Sequence, residues 1–273
     1  MEWLEGALAT LGGGTVLVGA TTAVVRYLLD RHVNREMAVF KAEMATENAI
    51  VLERLKAEIA QQGRLDERRH EYAQVMRRYE GPLQHAVYDL QSRLYNVVSQ
   101  GFIQTYYLKG DEHEKQYVVD NTAYVIAQYF AWSEIIRTEI HFIECSTSGN
   151  TKALTTLQNQ IYSLWQTDAF RGPLRIWAGE QRAIGESMVE ERGNRLTCIG
   201  YARFLELVET EEVALLNSLR SDVASACTDI VSCFPRLVAV QHALIDLLCF
   251  LDPDSLRFPA DTRTYVGAVS DGS

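Results

Sequence analysis

The chain has 273 residues, 47% of them apolar, and only 5 Pro, four of which follow residue 170. That excludes intrinsic disorder for most of its length and points to a predominantly α-helical protein with a substantial core. Its net charge of −10 disfavours broad attraction to phosphates, so a nucleic acid partner is not expected. The five cysteines, Cys145, Cys198, Cys227, Cys233 and Cys249, are odd in number and never spaced as C-x-x-C. They fit neither a disulfide framework nor a zinc ribbon, and read as inert core thiols of a reducing compartment.

Residues 6–25 are uncharged throughout and include five Gly, three Leu and four Val. Twenty such residues match the thickness of a bilayer core, although the segment is only weakly hydrophobic. Glu2 and Glu5 precede it with no Lys or Arg, which argues against a cleaved signal peptide. Arg26, Arg31 and Arg35 follow it, so the positive-inside rule places the N-terminus outside and the remainder in the cytoplasm. Ala9 with Gly13, and Thr15 with Gly19, are small residues at the four-residue spacing that lets transmembrane helices approach closely. Residues 1–29 are therefore read as a transmembrane anchor.

Residues 30–78 are read as an amphipathic stalk helix, with helical periodicity up to Gly63. Its seam is Val33, Met37, Phe40, Met44, Asn48, Val51, Leu55 and Ile59. The spacings 4-3-4 repeat every eleven residues, a coiled-coil-like period that leaves the seam nearly straight or slightly right-handed. So narrow a stripe needs a partner, either a second copy or the chain's own head. Asn48 on the seam is the kind of polar residue that fixes register.

Residues 79–256 are expected to form a helical-bundle head. Gly81-Pro82 opens its first helix. A run from about 115 to 144 is apolar on nearly every face and reads as a buried central helix. Further helices are expected over 152–166, 176–191, 201–208 and 237–251, with another beginning at Thr210 as its cap. No strand pattern of useful length appears. Residues 257–273 are read as a tail whose end is loose. The head, from residue 79 onward, holds 15 basic and 25 acidic residues.

No G-x-S-x-G, Walker loop, G-x-G-x-x-G or H-E-x-x-H is present. Glu67-x-x-His70 has no second copy, so no metal site and no cofactor are expected. The polar residues inside apolar helices are Arg137, Glu139 and His141 on the central helix, Glu180 and Arg182, and His242 with Asp246 at i, i+4. They read either as an internal ion-pair network or as a pocket for a small polar or anionic ligand. No nucleophile accompanies His242, so catalysis is not expected. Tyr106-Tyr107 beside Trp132 is a possible interaction surface.

The expected molecule is thus all-α: an N-terminal transmembrane helix, a stalk and a cytoplasmic bundle. Its expected role is a non-enzymatic, membrane-anchored scaffold that self-associates through anchor and stalk and offers an acidic head to a cytoplasmic partner with a basic face. The alternatives are a membrane-tethered ligand-sensing domain and an oligomeric effector that perturbs the membrane.

Overall fold

The computed structural model describes residues 2–141, 149–193 and 195–267, with side chains except at 2–20, 72, 140–141 and 149–151. The chain divides into two compact units, Met1–Asp66 and Glu67–Ser273. A single helix, α1 (Glu2–Ser99), contributes to both. It does not stop at Gly63 and does not restart at Pro82. Proline in a helix interior removes one backbone hydrogen bond, yet α1 carries Pro82 within it. Tyr79, Leu83, Ala86, Val87, Leu90, Leu94 and Val97 are buried. Their burial at three- and four-residue spacing offsets the lost bond.

In the first unit the backbone is helical, and every described side chain from 21 to 64 is exposed. The expected anchor at 6–25 lies mostly outside the residues whose side chains are described. Among the described residues, the one helix long and apolar enough to cross a membrane is Ile230–Leu251, and 56% of its apolar window is buried within the protein. That burial is what the core helix of a folded domain shows.

Among the described residues, the regular structure of the second unit is helical apart from one short hairpin. After α1 come a π-helix (Ile103–Leu108), α2 (Glu112–His141), α3 (Gly149–Gln166) and α4 (Ala178–Ser187). The hairpin β1 (Val189–Glu191) and β2 (Leu196–Cys198) is antiparallel, pairing Val189 with Cys198. Then follow α5 (Tyr201–Glu209), α6 (Ala214–Thr228), α7 (Ile230–Leu251) and a 3₁₀ turn (Ala260–Thr262). The hairpin replaces the expected end of a 176–191 helix, its reversal passing through Gly193 at φ +67°. Thr210 terminates α5 and does not begin α6: its Oγ1 donates to Glu206 O at 2.8 Å.

α2 is the centre of the packing, touching the π-helix, α4, α5, α6 and β2, while α3 packs on α7 and α4. The α2–α4 approach depends on Gly185, where a Cβ would lie 2.7 Å from Phe130 O. Asp120, buried on α2, pairs with Arg220 on α6. α2 begins with a reciprocal cap: Glu114 N donates to Asp111 Oδ1 at 2.8 Å, and Asp111 N donates to Glu114 Oε2 at 3.0 Å.

α7 begins at Ile230, with Pro235 inside it, so Arg236 falls on the helix and is fully buried. Among the described residues no carboxylate meets it. Its Nη1 donates to Leu164 O and Trp165 O, and its Nη2 to Thr167 O and Phe170 O, at 2.7–3.1 Å. The guanidinium thus satisfies carbonyls at and beyond the C-terminus of α3, where a helix has no internal donors left. Burial, with Arg175 nearby, lowers its pKa.

The segment after Arg257 is not a free tail. Phe258 and Arg263 are buried, and Phe258 stacks on Tyr88 of α1 at 4.2 Å between centroids. Asp252 accepts from the backbone N–H groups of Leu256, Arg257 and Phe258 and pairs with Arg263. Gln84 donates to Leu251 O at 2.6 Å and Gln241 to Thr264 O at 2.8 Å. Phe258, Arg263 and Val266 thus strap residues 258–266 onto α1 and α7, whereas the end expected to be loose lies mostly outside the described residues.

Candidate functional site

The residues expected to build a polar interior fall into two groups. On the α2 side, Arg137 is paired with Glu134, whose carboxylate is almost fully buried. Tyr162 of α3 lies among Glu134, Arg182, Arg137 and Glu186, and burial, reinforced by Glu134, pushes its pKa up to about 12. A shallow groove of about 310 Å³ runs here past Glu134, Arg137, Thr138 and Glu186. Arg182 is exposed and Glu139 half-buried. Glu180 is used locally, accepting from Trp177 N at 2.9 Å to cap α4. The His141 side chain lies outside the described residues.

On the α7 side, His242 is half-buried and its Nε2 lies 2.9 Å from Val266 O. Asp246 is exposed and accepts from Tyr265 Oη at 2.7 Å. His242 meets Tyr265 edge to face at 5.0 Å. Each member of the i, i+4 pair thus meets the C-terminal strap. Among the described residues no hydrogen bond or ion pair joins the two groups. Glu67 and His70 are exposed, and His70 Nε2 lies 2.8 Å from Gln74 Nε2.

A further well-formed cleft lies elsewhere. The end of α1 supplies Tyr95, Asn96 and Gln100, the π-helix with its preceding residue supplies Tyr106 and Phe102, and the first turns of α2 supply His113, Glu114 and Tyr117. Together they line a groove of about 810 Å³, within the usual range for small-molecule sites. The chain reverses at Gly101, whose φ is +63°, a conformation costly for residues with a Cβ. π-Helical turns are rare and recur at functional sites. Phe102 and Tyr106 lie 5.2 Å apart. Arg93, which does not line the groove, sits 4.4 Å over the Phe102 ring and 5.8 Å from that of Tyr117, anchored by donating to Asn121 Oδ1.

Of the residues expected to form an interaction surface, Tyr106 lines this groove and Tyr107 does not. Trp132 is not part of it and packs 6.4 Å from Tyr79. The missing partners, Tyr95, Phe102 and Tyr117, show no spacing signal, because a glycine reversal and a π-helix bring them together. Gly101 between two helical runs was the only clue.

The thiols divide by burial. Burial pushes Cys198 and Cys227 up to about 12 and also raises Cys233. Cys249 is exposed, a correction to the expectation that all five are core thiols; Cys145 lies outside the described residues. At neutral pH a rise from 9.0 to about 12 leaves roughly a thousandfold less thiolate. Maleimide labelling followed by peptide mass mapping is expected to modify Cys249 in minutes, and Cys198 and Cys227 only once the protein is unfolded.

No protein-family model matches the chain, and no curated protein or solved structure matches it.

Proposed function

We propose that the protein is a non-enzymatic, membrane-tethered helical interaction module that self-associates through residues 26–62 and offers an acidic helical unit to a partner with a basic face. One observation carries this reading. The seam residues Val33, Met37, Phe40, Met44, Val51, Leu55 and Ile59 are each 42–63% exposed. Val39, Ile50 and Leu52 beside the seam are exposed as well, and so much open apolar surface on one helix is stable and soluble only when another surface covers it.

The occupant is a second copy in parallel. Tethering every N-terminus to the same face of a bilayer sets identical seams side by side, and Asn48, also exposed, then meets its own counterpart, the arrangement in which a buried polar residue fixes register. The 4-3-4 period keeps the seam on one side of a nearly straight helix.

The tether is residues 6–25. Supporting it, Val24, Val25, Tyr27, Leu28 and Leu29 are 53–64% exposed, prolonging the uncharged run past Arg26, and Tyr27 stands where an aromatic side chain favours the membrane–water boundary. The basic residues that follow place the second unit in the cytoplasm. Its 25 acidic against 15 basic residues from position 79 favour encounter with a basic surface.

The tether is tested by alkaline carbonate extraction of membranes from expressing cells. The protein is expected in the pellet, and Leu17→Asp, which costs about 3 kcal/mol of insertion at a helix centre, is expected to move it largely to the supernatant. Release of the unaltered protein by carbonate would refute the tether.

A further inference from the structure

The aromatic groove is independent of the seam and of the tether, and its make-up is chemically selective. Four of its eight lining residues are aromatic: Tyr95, Phe102, Tyr106 and Tyr117. Tyr106 and Tyr117 leave 44% and 46% of their surface exposed, and with Tyr95 and Phe102 they make a contiguous aromatic patch, the kind of exposed surface that marks a binding site. Arg93 pins Phe102 and Tyr117 from outside the lining, so the rings are held before a ligand arrives.

Charge then narrows the class. Among the described lining residues Glu114 is the one acidic side chain, His113 the one imidazole, and there is no Lys or Arg, in a unit whose residues from 79 onward carry ten more acidic than basic groups. Stacking alone would suit a nucleic acid base as well. A polyphosphate strand, however, needs basic side chains to neutralise it, and the groove supplies a carboxylate. Asn96 and Gln100 add amide groups on the facing wall.

We infer that the groove of Tyr95, Phe102, Tyr106, Glu114 and Tyr117 binds a small, flat aromatic molecule carrying a positive charge. The ligand's rings stack on the tyrosines and its cationic nitrogen faces Glu114. The inference goes beyond the proposed scaffold role and stands or falls separately from it, because no seam or tether residue takes part.

The test uses the full chain in neutral phosphatidylcholine nanodiscs, with empty nanodiscs as blank, and three probes followed by equilibrium dialysis. Proflavine is a planar aromatic cation, 1-anilinonaphthalene-8-sulfonate an aromatic anion, and choline a cation without rings. Proflavine is expected to saturate at one per chain. Tyr106→Ala should weaken it at least about tenfold, the scale of one lost stacking partner, while Tyr106→Phe stays within about twofold. Glu114→Gln keeps an acceptor for the α2 cap and should weaken proflavine about three- to tenfold while removing its salt dependence. Unchanged thermal midpoints in these variants establish that the fold is intact. Failure of proflavine to saturate, indifference to Tyr106→Ala, or displacement by the sulfonate or by choline at equal affinity would each overturn the assignment. An aromatic, basic peptide that displaces proflavine while free proflavine binds only non-saturably would do so too, since it would make the groove a protein-docking surface.

Discussion

Replacing Phe40, Val51 and Leu55 together by glutamine is expected to weaken self-association of the tethered chain by on the order of a thousandfold or more, with no change in the thermal unfolding of the second unit. Each of these side chains is about half exposed, so covering it contributes on the order of 1 kcal/mol, and a pair of chains buries six such faces. Every 1.4 kcal/mol lost is about tenfold in the dissociation constant. Glutamine retains good helix propensity, so the substitution removes the apolar seam without removing the helix. Subunit exchange between differently labelled proteins in nanodiscs reads the effect. Exchange and affinity equal to those of the unaltered protein would place the association elsewhere.

The second large effect concerns the C-terminal strap. Asp252→Ala is expected to destabilise the second unit by about 3 kcal/mol or more, because it leaves the guanidinium of Arg263 buried without its charge partner and three backbone N–H groups without an acceptor. The side chains of Arg263 and Asp252 are only 5% and 6% exposed. Burial works to raise the Asp252 pKa, but the N–H donors of Phe258, Leu256 and Arg257 and the charge of Arg263 together hold it below the usual aspartate value. A depressed native pKa stabilises the fold at pH values above the unfolded one, about 3.9. That contribution is lost as pH falls through the native value. The thermal midpoint of the unaltered protein should therefore drop below about pH 4 by more than that of Asp252→Asn, which lacks this titration. Parallel acid profiles for the two would remove Asp252 from the account.

The elements differ in how far their residues announce them. α2 and α3 were legible because their periodic apolar runs are long and bounded by polar turns, and the Asp111–Glu114 cap sits where the loop was expected. The start of α7 was not, because the apolar run is read from Leu237 while the helix begins at Ile230 and carries Pro235 within it. Arg236 lies just outside that run, although it is the buried group that closes the end of α3. The three-residue strands of the hairpin are too short to alternate visibly. Among the site residues, helical spacing put His242 and Asp246 on one face of α7, but their partners, Val266 and Tyr265, come from a segment read as a tail, with no pattern that predicts a contact with α7. The aromatic groove depends on a left-handed glycine and a π-helical turn, and neither leaves a periodic mark. The helix that carries the seam residues was legible from its periodicity, and their side chains are exposed.

Self-association through that seam is the central claim, and the mass of the purified full chain in solution tests it most directly. Light scattering corrected for bound detergent, at micromolar protein, is expected to return an integral multiple, two or greater, of the 30.9 kDa chain mass. A protein mass of 30.9 kDa across the accessible concentration range would contradict it.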